Sequence, residues 1–214
     1  MKRFLDIVSL ALGILCHPLW MPTYGILVYC AAINNAQTPL PTAYWLIAVL
    51  ATFTITAFVP LTLILVQIYR GTVKDLYIRD ASERTATYVY SVVCYVFWCY
   101  FIYKILPSPT VLFTIALGAT IALILVLFIN RKWKISAHLT GLGGLIGGVL
   151  AYCYCSHLFP PVGLVCGLLC LALVLMYARL YTNAHTSLQV VAGLLLGLTC
   201  TFVPSLILEL IKHA

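Results

Sequence analysis

Seven stretches of roughly 20 uninterrupted apolar residues, each long enough to cross a hydrocarbon core of about 30 Å as a helix, dominate this chain. They fall at 7–33, 44–69, 86–106, 110–129, 137–155, 160–178 and 188–211. None alternates with period two, so helices, which bond their own backbone polar groups, fit better than a barrel. The 64% hydrophobic and 8% charged residues rule out a soluble globular domain, which carries about 25% charge. The expected fold is an all-α polytopic membrane helix bundle of six to seven transmembrane helices. Connections are short except at 70–85, which leaves no room for a separate soluble domain.

The amino terminus, Met1-Lys2-Arg3 before an apolar run, has the look of a signal peptide, but no small-residue cleavage site ends the run. It reads as a first membrane helix, kinked at Pro18 and Pro22. Nine cysteines, at 16, 30, 94, 99, 153, 155, 166, 170 and 200, all lie in apolar runs without a Cys-x-x-Cys, and read as free packing residues. Gly143-x3-Gly147, Gly144-x3-Gly148, Gly163-x3-Gly167 and Gly193-x3-Gly197 predict close approach among the fifth, sixth and seventh helices. The net charge of +7 comes from basic residues at helix ends, the pattern of a membrane protein rather than of a nucleic-acid-binding face.

Three polar junctions carry the chemistry. The first, 70–85, holds Lys74, Arg79, Asp80, Glu83 and Arg84; Asp80 and Glu83 have capping-box spacing, so a helix is expected to start there with Arg84 in its first turn. The second runs through Arg131, Lys132 and Lys134 into Ser136-Ala137-His138, and the third, 178–189, holds Arg179, Asn183, His185 and Gln189. In the last two a good N-cap residue stands two before a histidine. Ser136 and Asn183 are therefore expected to cap the fifth and seventh helices, with each imidazole beside backbone N–H groups that favour an anion. Two crossings separate each junction from the next, so all three lie on one side and Arg84, His138, Arg179 and His185 can converge. His157 and His213 fall on the other side, and His17 is expected at the kink or the surface.

Two imidazoles and two guanidiniums suit phosphoryl transfer. A neutral histidine attacks phosphorus, a protonated one delivers a proton to the leaving oxygen, and arginine forks hold the phosphoryl oxygens. A metal would want clustered carboxylates, and the junctions offer only Asp75, Asp80 and Glu83 near one another.

Arg179-x5-His185 and Ser136-Ala137-His138 resemble the third and second signatures of the type 2 phosphatidic acid phosphatase (PAP2) superfamily, Ser-Arg-x5-His-x3-Asp and Pro-Ser-Gly-His. Arg84-Thr85 stands where the first, Lys-x6-Arg-Pro, would end. The likeness covers residues 70–200 or so and is to a divergent bacterial branch. It implies transmembrane helices over 1–69 followed by a PAP2-like catalytic core over 70–214, within a single membrane domain. It also implies His185 as nucleophile and His138 as general acid and later base. Arg179, Arg84 and Ser136 would bind phosphate, with Arg79 and Lys74 standing in for the missing signature lysine. The implied activity is that of an integral membrane lipid phosphatase hydrolysing a phosphomonoester or diphosphate through a phospho-histidine. It uses no metal or cofactor, and its partners are lipid phosphate and membrane lipids. Ala178, Ile135, Ala137 and Tyr77 depart from the signatures, and Gln189 replaces the aspartate that would support the nucleophile. An amide orients an imidazole but offers no negative charge. The competing expectation is a catalytically weak relative that binds anionic phospholipid or supports another membrane enzyme.

Of twelve Lys and Arg, ten (2, 3, 70, 74, 79, 84, 131, 132, 134 and 179) lie on the side of the three junctions and only Lys104 and Lys212 opposite. The positive-inside rule puts the junctions at the cytoplasmic face of the cell membrane, whereas many bacterial members of the family work at the outer face. In a cysteine-free chain, cysteine at position 80, 134 or 183 is expected to react with an impermeant maleimide from one side only, and cysteine at 157 from the other. Labelling of 134 and 183 from opposite sides refutes the shared face.

Overall fold

The computed structural model describes residues 2–34, 41–72 and 81–213, and among these the chain is helical with no strand. The helices are α1 (Lys2–Leu15), α2 (Met21–Asn34), α3 (Thr42–Phe53), α4 (Val59–Tyr69), α5 (Ala81–Tyr100), α6 (Thr110–Ile129), α7 (Ala137–Cys155), α8 (Val162–Tyr181) and α9 (Ser187–His213). Among the described residues seven helical stretches are long and apolar enough to cross a membrane: Lys2–Ala32, Thr42–Tyr69, Arg84–Ile105, Thr110–Ile129, Ala137–Cys155, Val162–Tyr181 and Ser187–Lys212. The chain is thus a multi-pass membrane helix bundle. All nine cysteines are free.

The first stretch is broken more sharply than a kink. Pro18 has no N–H to give the Ile14 carbonyl, so α1 stops at Leu15 and a 3₁₀ turn, Pro18–Trp20, leads into α2. Pro22 sits in the first turn of α2, where a missing N–H costs no bond, and it bends nothing. The carbonyls orphaned at the end of α1 find partners elsewhere. Ile14 O accepts from Trp20 Nε1 at 2.8 Å and from His17 N at 3.3 Å, and Leu15 O accepts from the Tyr24 hydroxyl at 3.0 Å.

From the break, α2 runs alongside α7. Gly141 faces Pro18 and Met21 near the start, and Tyr29 meets Tyr152 with ring centroids 5.4 Å apart near the far end. By contrast, both halves of α1 stay at the starting end: Gly13 lies against Arg179, and the Tyr181 hydroxyl donates to Asp6 at 3.1 Å. Helix α1 therefore crosses the end of the bundle rather than extending α2. Its outward face, Phe4, Ile7, Leu10 and Ile14, is exposed and apolar, as in a helix lying along a lipid surface.

A second proline shapes the neighbouring span. Pro60 cannot bond the Thr56 carbonyl, and the turn at Thr54–Phe58 widens into a π-helical bulge closed by Val59 N–H on Thr54 O. Thr56 there is fully buried, and its hydroxyl lies 3.5 Å from Leu19 O in the broken first stretch.

Helix α2, the π-bulged second span, α5, α6 and α7 pack in sequence around a central space, while α9 lies against α6 and α7, and α8 sits outermost. The closest packing joins α7 and α9. A Cβ on Gly197 would collide with the Thr140 carbonyl, and one on Gly143 with the Leu194 carbonyl. The expectation of glycine-mediated packing fails for the sixth helix, because Gly163 and Gly167 have nothing within 4 Å of a would-be Cβ and face outward. Gly197→Ala is expected to cost about 1–3 kcal/mol by forcing the two backbones apart. Gly163→Ala should be neutral or slightly stabilising, and thermal unfolding in detergent reads both.

Candidate active site

The first turns of α7 and α9 stand side by side because glycine lets them. Gly193 lies against the Ser136 carbonyl, where an added Cβ would come within 2.6 Å of it, and the Ser136 N–H donates to the Gln189 carbonyl at 3.3 Å. Ser136 caps α7 as expected, its hydroxyl accepting from Leu139 N–H at 3.5 Å. That position buries Ser136 completely and keeps it out of the cavity lining, so it does not face the space in which a phosphate would sit.

Asn183 does something other than the expected N-cap. It adopts φ 50°, donates its N–H to Leu180 O at 3.0 Å, and lets Ala184 N–H reach Arg179 O at 3.1 Å. These are the two bonds of a Schellman ending, which asparagine supports because it tolerates the left-handed region. Asn183 thus closes α8. The start of α9 is served by Thr186 and Gln189, whose Oε1 accepts from Thr186 N–H at 3.1 Å, the reciprocal half of a capping box.

Gln189 Oε1 also lies 3.2 Å from His185 Nδ1, and the Lys134 carbonyl lies 3.2 Å from the same nitrogen. A backbone carbonyl only accepts, so Nδ1 carries the proton and donates to both oxygens. The neutral ring therefore has its lone pair on Nε2. His138 is arranged the opposite way. Its Nε2 lies 3.1 Å from the Gly13 carbonyl, so Nε2–H donates and Nδ1 is the nitrogen left for a ligand or a second proton. The helical partner of Gly13 O would have been His17 N–H, which bonds Ile14 O instead, so the break in the first stretch creates this acceptor.

Arg179, in the last turn of α8, holds these groups in one electrostatic neighbourhood. Its guanidinium acts on His138 and His185, and on His17 as well. Arg84, in the first turn of α5, lines the same cavity beside Tyr88, with its Nε buried and lacking a hydrogen-bond partner among the described residues. Lys74 and Arg79 lie outside the described residues, as does Asp80 of the expected capping box. His157 stands by Glu209 and Lys212, apart from this cluster, as its sidedness demands.

At the polar end, His17 and Gly13 were not anticipated as part of the site, and Lys134 of the second junction joins them in the lining. His17 is partly buried and meets His138 edge to face, with ring centroids 5.4 Å apart and planes at 78°. The signal was present in the sequence as a histidine directly before a helix-breaking proline, but nothing local tied it to residue 138.

The cavity has a volume of about 1620 Å³ and is lined mainly by apolar side chains. One face of α7, from Ala137 and His138 through Gly141, Gly144 and Gly148 to Tyr152, runs along it, a length of about 22 Å at 1.5 Å per residue. The arrangement is a polar head end, with the N-terminus of α7 and at least two guanidiniums, opening into an apolar space that follows the bundle. Comparison with protein-family models, with curated proteins and with solved structures returns no match to this chain.

Burial holds the pKa of His185 below the usual 6.5; the hydrogen bond to Gln189 opposes that lowering, and the Lys134 and Arg179 cations reinforce it. Between the two pKa values the unfolded chain binds the proton and the native one does not, so this group's contribution to stability is complete above 6.5 and declines as pH falls below it. The His185 C2–H resonance is expected to titrate with a midpoint under 6.5, and His185→Gln to reduce the acid-side loss of thermal stability.

Proposed function

We propose that this cavity is the active site of an integral membrane lipid phosphatase that forms a phospho-histidine on His185, in the manner of the type 2 phosphatidic acid phosphatases. The observation that carries the reading is the protonation pattern of His185. Two acceptors on Nδ1 leave the Nε2 lone pair as the nucleophile, in a cavity shared with a second imidazole and two arginines. In the first step Nε2 forms a bond to phosphorus as the bond to the leaving oxygen breaks. The departing oxygen takes a proton from His138, charged beforehand at Nδ1. Water, activated by the now neutral His138, then attacks the phospho-histidine and releases phosphate. Arg179, Arg84 and the N-terminus of α7 neutralise the phosphoryl oxygens, which is the service a metal ion would otherwise perform. The apolar length of the cavity suits a lipid chain behind the phosphoryl group. The ten-to-two distribution of basic residues favours a cytoplasmic face and substrates drawn from lipid biosynthesis.

Gln189 supports a second reading, a weakly active protein that binds anionic phospholipid or assists another membrane enzyme. Its amide orients His185 but gives the developing imidazolium no opposing charge, and its oxygen is shared with Thr186 N–H. Purified protein with chelator present is expected to release phosphate from phosphatidate or an isoprenyl diphosphate. His185→Ala should lower release by on the order of a thousandfold or more. Gln189→Glu, which keeps both hydrogen bonds and adds the charge, should raise it about tenfold or more. Release that His185→Ala leaves unchanged rules the mechanism out. Saturable binding of anionic lipid without release points to the second reading.

A further inference from the structure

The structure assigns to the site a further residue, His17, which we propose positions His138 for its role at the phosphoryl group. Three observations converge on it. The ring of His17 abuts the ring of His138 edge to face at 5.4 Å, and both line the same cavity. The nitrogen facing its own backbone is committed as well: Nδ1 lies 3.4 Å from Leu19 N–H and accepts from it, so the neutral ring carries its proton on Nε2. Finally, residues 13 and 17 act together on His138. Because the chain breaks before Pro18, His17 N–H turns to Ile14 O, the Gly13 carbonyl is freed for His138 Nε2–H, and the His17 side chain packs against the same imidazole. One turn of backbone thus fixes both the tautomer and the plane of a residue more than a hundred positions away.

The consequence is that Nδ1 of His138, and not Nε2, is the nitrogen that meets the leaving oxygen. A ring held at one nitrogen alone rotates about that hydrogen bond. With the His17 edge against it, the ring presents Nδ1 in one direction, which matters because misplacement of a reacting group by about 1 Å can cost a hundredfold in rate. His17 touches neither reacting atom in this account. It is a positioning residue supplied by the segment before the first crossing, outside the stretch on which the two histidines and arginines were found.

Two substitutions separate positioning from simple capping of the 3₁₀ turn. His17→Asn keeps a good capping side chain for Leu19 N–H and removes the ring, whereas His17→Phe keeps a ring edge against His138 and removes the cap. The measurement is the ring ¹⁵N spectrum of His138 in nanodiscs, assigned by its loss in His138→Gln. The wild type should show Nε2–H with a bare Nδ1 and a rigid ring by ¹⁵N–¹H dipolar order; His17→Phe should retain both, and His17→Asn should keep the tautomer that Gly13 O still holds but lose ring order. This arm does not depend on catalysis. The kinetic arm rests on the phosphatase reading: His17→Asn should lower kcat by about tenfold to a hundredfold with KM little changed, while His17→Phe stays near wild type. Any other spectral pattern overturns the proposal, in particular an unaltered His138 in His17→Asn. A wild type that keeps the spectrum but releases no phosphate counts against the phosphatase reading and leaves the positioning of His138 standing.

Discussion

The site rests on one contact, the backbone-to-backbone meeting of α7 and α9. Gly193 and Gly197 present no side chain to the carbonyls of Ser136 and Thr140, so the two helix starts come abreast. Only at that separation does Lys134 O reach His185 and Ser136 N–H reach Gln189 O. A methyl group in the seam acts on the geometry of the histidine as much as on packing. In lipid there is no water to take over a lost backbone bond, which makes these contacts more costly to break than their number suggests.

The same accounting explains why a broken helix lies at the polar end. Ending α1 inside an apolar stretch frees carbonyls that must be satisfied, and the protein satisfies them with Trp20, Tyr24 and His138. The last of these sets the protonation of His138 opposite to that of His185. Two chemically identical side chains are thereby distinguished by which backbone oxygen each one holds, the difference a nucleophile and an acid require.

Much of this was legible in the sequence because crossing a membrane imposes length and polarity rules on every span. The seven apolar runs match the seven helical stretches long enough to cross a membrane, the first of them broken at Pro18, the Ser136 cap stands, and counting crossings brings His138, Arg179 and His185 together. What escaped depends on contacts between segments distant in the chain. Asn183 looked like an N-cap because asparagine favours that position, but it also tolerates the left-handed conformation, and the end of α8 claimed it. Ser136 reads as a phosphate ligand only until its burial is known. His17 and Gly13 carry no local mark of a site, since their significance lies in a carbonyl released by Pro18 and taken by a residue on α7. The outward turn of Gly163 and Gly167 shows the reverse, a recognisable spacing with no neighbour to use it.

The crossing of α1 over the end of the bundle bears on how the protein is made. Residues 13 and 17 leave the ribosome early, whereas the partners they meet, His138 and Arg179, follow only after most of the membrane has been traversed. The amino-terminal helix can therefore complete these contacts only after the later helices have assembled, and its apolar outer face suits it to a lipid surface until then. A partly inserted chain lacks the contacts of Gly13 and His17 with His138, so the polar end of the cavity is complete only when biogenesis is nearly finished.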